Sequence, residues 1–167
     1  MTAHRSAAAL AAVVLGLAAP PTAGTETLAP CRLAGIKHEM SCGSVTRPLD
    51  PTEPGGRTVV VHYAVAPAIA RNKFADPVFL LAGGPGQSAM NLAAQVMPLF
   101  ARLNNRRDIV FVDQRGTGRS APLECEDTRR QPLADQADPQ AQLTQIRRCR
   151  EALLELPHVK SADDLRY

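Results

Sequence analysis

The sequence predicts an α/β fold: an incomplete, mostly parallel sheet with flanking helices. Three observations carry that expectation. The apolar run over residues 78–82 stops at the glycine-rich turn Gly83-Gly84-Pro85-Gly86, and a helical segment follows it. A second strand-like segment, residues 108–113 with the apolar run Ile109-Val110-Phe111-Val112 between two aspartates, leads into another glycine-bearing loop, Gln114-Arg115-Gly116-Thr117-Gly118-Arg119-Ser120. Between and after these runs, apolar residues recur at helical spacing. Strand–helix alternation of this kind argues for parallel neighbours joined by crossover helices.

A chain of 167 residues suffices for one ordinary domain, and 45% hydrophobic with 21% charged residues is a globular composition. Aromatics make up only 4% and Trp is absent, so the core must be built from Val, Leu, Ile and Ala. The N-terminus reads as an export signal. His4 and Arg5 precede an apolar stretch of about 13 residues, and small residues and prolines follow over 18–24. That stretch is short for a membrane span, which needs about 20 apolar residues. Cys31 lies too far from it for lipid attachment. Cleavage between Ala19 and Gly24 would leave a secreted or periplasmic chain with no membrane attachment. The net charge of +3 is mild. No basic run is interleaved with aromatics, and nucleic-acid binding is excluded as a reading.

Four cysteines in an exported chain imply disulfides. Cys31 and Cys42 form one sequence cluster, Cys125 and Cys149 another. Three pairings are open. Local pairing, Cys31 with Cys42 and Cys125 with Cys149, is the expected one, each bridge contributing about 2–4 kcal/mol. No two cysteines have CxxC spacing and no histidine pair lies near them, so no metal site is expected.

Along the chain, residues 25–56 read as an irregular lead-in, with a turn-rich stretch over 47–56. Residues 57–66 are β-branched and suit a strand; His62 within it reads as structural. Residues 78–82 read as a central strand buried on both faces. Leu92, Val96, Leu99, Phe100 and Leu103 mark a helix over 88–103, which Pro98 should kink or end. Residues 108–113 form another buried strand. A surface excursion over 122–139 leads to a helix over 141–156, marked by Leu143, Ile146, Arg150, Leu153 and Leu154 and closed by Pro157. Ser161-Ala162-Asp163-Asp164 has the look of a helix-capping sequence. The expected order is strand, strand, helix, strand, helix, and a sheet of three strands would leave one long edge open. The expected segments are a signal peptide over 1–24, the lead-in over 25–56 and an α/β unit over 57–167.

The turn at Gly83 to Gly86 is the chemical focus. Glycines after a strand let the backbone approach a reacting atom and aim N–H groups at a developing oxyanion. A phosphate loop would place Lys and Ser/Thr after the last glycine, whereas Gln87 follows Gly86. A dinucleotide fingerprint would need a third glycine where Ala89 stands. Ser88 is a near miss for a nucleophile elbow, with Met90 in place of the second glycine, and is not nominated. In the second loop, Asp113 and Arg115 are placed for a charged hydrogen-bonded pair. Gly116 and Gly118 permit a tight return. Ser120 lacks the second glycine of an elbow, and this loop reads as structural.

These two motifs, about 30 residues apart, resemble the α/β-hydrolase serine peptidases of the proline iminopeptidase and tripeptidyl aminopeptidase kind. Leu81-Ala82-Gly83-Gly84-Pro85-Gly86-Gln87-Ser88 and Asp113-Gln114-Arg115-Gly116-Thr117-Gly118 look most like the secreted tripeptidyl aminopeptidase branch. So do Cys42-Gly43 with Val45, Cys125 after Leu123, and Cys149-Arg150. The resemblance covers roughly residues 31–167. It implies the N-terminal portion of an α/β-hydrolase fold, with Gly83 and Gly84 contributing to an oxyanion hole and Gly84 the expected donor. It implies a peptide substrate, an acyl-enzyme and no cofactor. That family carries its Ser, Asp and His in that order after the next strand. The expectation is therefore that the triad lies beyond Tyr167, with His38 and His158 mere surface residues and the chain alone inactive. A complementary C-terminal chain is the implied partner. An inactive secreted binding or strand-pairing protein, and an esterase of the same fold, are the alternatives.

Overall fold

The computed structural model describes residues 27–84, 86–125 and 132–159. The expected signal peptide, Pro85 and the capping sequence at 161–164 lie outside the described residues. The elements run β1 (Ala29–Cys31), β2 (Met40–Pro48), β3 (Thr58–Ala66), β4 (Val78–Leu81), α1 (Ala89–Asn104), β5 (Ile109–Val112), α2 (Leu133–Ala137) and α3 (Pro139–Leu154). The five strands form one sheet in the order β1-β2-β3-β5-β4.

This is a partial α/β fold, but its sheet is not mostly parallel. Among the described strands only β4 and β5 run parallel, with Val78 opposite Ile109 and Leu81 opposite Val112. Their connection passes through α1, the crossover a parallel pair requires. The other three pairings are antiparallel. The reason lies in the lead-in, which is not irregular: it supplies β1 and β2. The turn-rich stretch expected over 47–56 is the loop of a long hairpin. Asp50 accepts from the Thr52 N–H (2.8 Å) and Oγ1 (2.7 Å), and Leu49 N–H donates to the Arg57 carbonyl (2.7 Å). β2 then pairs with β3 from Ser41 opposite Val65 to Pro48 opposite Thr58. Its polar sequence, Ser41, Gly43, Ser44, Thr46 and Arg47 included, hides the strand from a reading by apolar runs.

The core lies between one sheet face and α1. Met40, Ala64, Ala66, Ile109 and Phe111 of the sheet meet Ala89, Met90 and Ala93 of the helix. Val78, Leu80, Val96, Met97 and Phe100 pack around them. α1 runs through Pro98 rather than ending there. An interior proline costs about 3 kcal/mol, yet apolar residues on both sides of it, Val96 and Met97 before and Phe100 after, are anchored on the core. The buried stripe is also rotated from the expected one, because small Ala89 and Ala93 allow close approach to the sheet while Leu99 is 80% exposed. β4 is an edge strand among those described, not a central one; Phe79 and Leu81 face away from α1 and are exposed. β5 lies between β3 and β4, with Ile109, Val110 and Phe111 buried. The excursion before residue 139 contains the short α2, and α3 begins at Pro139, with Asp138 Oδ1 accepting from the Gln140 N–H at 2.9 Å.

Both cysteine pairs form locally: Cys31–Cys42 ties β1 to β2, and Cys125–Cys149 ties α3 to the segment after the second glycine loop.

Candidate active site

β4 and β5 run side by side, so both glycine loops emerge at the same end of the sheet. Gly83 and Gly84 are exposed on the connection from β4 to α1. Gly84 has φ 128°, a backbone conformation that side-chain-bearing residues rarely adopt, and a Cβ there would meet Gln87 Cγ at 2.9 Å. The turn is closed by Gln87 N–H donating to the Gly83 carbonyl (3.3 Å). Neither Gly83 nor Gly84 N–H has an acceptor among the described residues.

The amides that follow are committed. Ser88 caps α1, its Oγ accepting from the Asn91 N–H at 3.0 Å. The same Oγ donates to Asp113 Oδ1 (2.7 Å), which also accepts from the Met90 N–H (3.1 Å). Leu92 N–H donates to the Ser88 carbonyl. Asp113 is 1% exposed. Its second oxygen accepts from the Arg119 N–H (3.1 Å), and its main-chain carbonyl accepts from Ser120 Oγ (2.7 Å). Ser120 Oγ in turn accepts from the His62 N–H (2.8 Å), and Asp113 N–H donates to the His62 carbonyl (3.0 Å). A buried carboxylate beside the first amides of a helix is favoured by the helix dipole as well as by its hydrogen bonds.

The expected Asp113–Arg115 pair is not what these bonds make. Asp113 reaches back to α1, and Arg115 Nη1 donates to the Leu49 carbonyl at 2.6 Å, fastening the loop to the β2–β3 hairpin. Gly116 N–H donates to the Ser120 carbonyl (2.8 Å), closing the return. Gly118 has φ 50°, and a Cβ on it would overlap the Asp113 carboxylate and Ser88 Oγ. Ser88 and Ser120 are both buried and each gives its proton to Asp113, so neither is presented as a nucleophile. His38 and His158 are exposed, and His62 is seen holding the corner through its backbone. The tie from Ser88 to Asp113 was missed from sequence, although a serine directly before a helical run is a readable cap signal.

A separate groove of 620 Å³ lies at the other end of the sheet, between residues 35–40, the end of β3 and the second half of α1. Asn104 shapes its floor, its Nδ2 donating to the carbonyls of Ala66, Pro67 and Arg107. Among the described residues no group of three His, Cys, Asp or Glu side chains is placed to hold a metal ion, and no helix is long and apolar enough to cross a membrane.

No protein-family model matches the chain. Individual relatives do. The tripeptidyl aminopeptidase of Streptomyces lividans is 30% identical over 108 residues, 62% of this chain and 20% of that protein. Carboxylesterase B of Mycobacterium tuberculosis is 34% identical over 103 residues, 56% of this chain and 19% of that protein. The putative hydrolase YuaR of Escherichia coli is 27% identical over 117 residues, 66% of this chain and 23% of that protein. The chain is thus similar to hydrolases, and its match spans about a fifth of their length.

Proposed function

We propose that this chain is the N-terminal, oxyanion-binding part of a secreted serine hydrolase with the α/β-hydrolase fold. Its reaction is the cleavage of peptide bonds near peptide N-termini, as in proline iminopeptidases and tripeptidyl aminopeptidases. The observation that carries the reading is the state of the amides around the β4–α1 turn. The first amides of α1 are taken by Asp113 and Ser88, while those of Gly83 and Gly84, at the mouth of the parallel strand pair, have no acceptor among the described residues. Free N–H groups on a turn fixed from both sides are what a tetrahedral oxyanion needs. The likeness to a tripeptidyl aminopeptidase supports the peptidase reading. The two disulfides support export.

The nucleophilic serine, its histidine base and the aspartate that orients it belong, in this reading, to polypeptide beyond these 167 residues. Attack by that serine on the substrate carbonyl forms an acyl-enzyme with loss of the peptide amine; water then releases the acyl group. Gly83 and Gly84 N–H groups would hold the carbonyl oxygen as it gains charge in both steps.

Ester hydrolysis is a second reading, favoured by the similarity to a carboxylesterase. One experiment addresses both. The chain alone, and the chain joined to the polypeptide encoded downstream of it, are assayed with tripeptidyl and prolyl anilides and with short-chain nitrophenyl esters. We expect no turnover from the chain alone, and hydrolysis of the anilides by the joined protein that a serine-directed fluorophosphonate blocks. Gly84→Pro removes the proposed donor, whose loss alone is worth about a hundredfold, and its ring cannot take the φ of 128° at Gly84, so it should lower that turnover by at least that factor. Ester turnover without anilide turnover selects the esterase; neither activity, with the joined protein folded, overturns the proposal. Labelling of the chain alone at Ser88 or Ser120 also overturns it.

A further inference from the structure

We infer that the buried Asp113 carboxylate is a positioning residue that sets the Gly83–Gly84 turn through Ser88. The inference rests on the oxyanion role proposed for that turn. Asp113 makes no hydrogen bond to either glycine. It grips the point where the turn becomes helix, accepting from Ser88 Oγ and Met90 N–H with one oxygen. With the other it grips the second loop, through Arg119 N–H. Its own backbone is fixed to β3 by two bonds, directly to the His62 carbonyl and through Ser120 Oγ to the His62 N–H. One end of the turn thus continues β4 and the other is pinned to the end of β5. The two strands are hydrogen-bonded neighbours, so the turn is held on both sides by the same sheet.

Gly118 is part of the device. Its missing side chain is what lets the Asp113 carboxylate and Ser88 Oγ approach each other there. A structural buried aspartate could have been satisfied by its own loop. This one spends one oxygen on another element, at the residue that caps the helix following the glycines.

Displacing a catalytic group by about 1 Å can cost about a hundredfold in rate, and Ser88→Ala removes both the cap and the link to Asp113. The test compares wild type, Ser88→Ala, Ser88→Thr and Asp113→Asn by hydrogen exchange on the 167-residue chain, and by kinetics on the joined protein. Ser88→Ala should speed exchange of the Gln87, Met90 and Asn91 amides about tenfold while β3 and β5 keep their protection. Ser88→Thr, which keeps the hydroxyl, should restore it. In the joined protein Ser88→Ala and Asp113→Asn should lower kcat at least tenfold with KM within about twofold. Unchanged exchange over 83–92 overturns the inference, and so does equal acceleration in β3 and β5, which would make Asp113 a general stabiliser. If Asp113→Asn does not fold, the two Ser88 variants decide. Exchange that follows the expectation in a protein with no hydrolase activity would refute the proposed function and leave the tie standing.

Discussion

Asp108 shows how single residues in this chain serve connections rather than elements. It lies just before β5 and accepts from the Ala68 N–H (2.8 Å) and from Lys73 Nζ (2.6 Å), fastening the segment between β3 and β4 to the start of that strand. Burial raises its carboxyl, but the hydrogen bond and charge of Lys73 and the Ala68 N–H outweigh burial and hold it below the ordinary carboxylate value. A depressed folded value means that the unfolded chain binds this proton first as pH falls. The stabilisation is therefore complete above about pH 4, the unfolded range, and is lost as pH drops through the lower folded value. Lys73 is half exposed, so solvent screens much of the effect. We predict that Asp108→Asn melts below wild type at pH 7 and that the gap in Tm narrows steadily from pH 4 to pH 2.5. A gap that is constant with pH would show that the charge contributes nothing.

At the scale of elements, the two disulfides do different jobs. Cys31 and Cys42 lie partly buried against the core, at the outer end of the sheet, and their bridge closes a loop of 11 residues' separation. Loop-closure entropy for a ring of that size is worth about 3 kcal/mol. Cys125–Cys149 anchors α3, a helix with no buried residue and with Ile146 64% exposed. A helix that buries so little draws little stability from the sheet and returns little to it. We predict that the double variant Cys31→Ala/Cys42→Ala loses about 3 kcal/mol in denaturant unfolding. Cys125→Ala/Cys149→Ala should lose less than about 1 kcal/mol of sheet stability while becoming sensitive to limited proteolysis within α3. Equal losses from both variants would mean that α3 is part of the cooperative unit. The local pairing itself was legible from cysteine spacing. The strand that one of those cysteines occupies was not, because β2 alternates small and polar residues where an apolar run was sought.

At the scale of the whole molecule, the sequence disclosed strands that carry continuous apolar runs and helices that carry apolar periodicity. It did not disclose pairing direction or sheet position, because a run such as Val78-Phe79-Leu80-Leu81 shows that both faces are apolar and not what covers them. Here α1 covers Val78 and Leu80, while Phe79 and Leu81 are 63% and 58% exposed. The turn between β4 and α1 was legible for a related reason: glycines that end an apolar strand speak for backbone geometry, and Gly84 and Gly86 do take positive φ there. The tie between Ser88 and Asp113 depends on residues 25 apart meeting across two strands, which sequence does not record.

The exposed face of β4 has a consequence for the isolated chain. Its outer edge has no partner among the described residues, and an open edge beside exposed Phe and Leu invites pairing with another chain. Each of these side chains would gain at most roughly 1.5–3 kcal/mol on full burial, a gain that adds to the hydrogen bonds of the joined edges and favours association of the chain with itself. We predict that the chain elutes as dimers or larger species in size-exclusion chromatography at tens of micromolar. Phe79→Lys/Leu81→Lys should shift it towards monomer, because charges on an edge strand oppose strand addition. Neither residue belongs to the core that α1 covers, so the substitution should leave the far-UV circular dichroism of the chain unchanged. A wild-type chain that is monomeric at that concentration, with a sharp cooperative melt, would show that this face is satisfied without a partner.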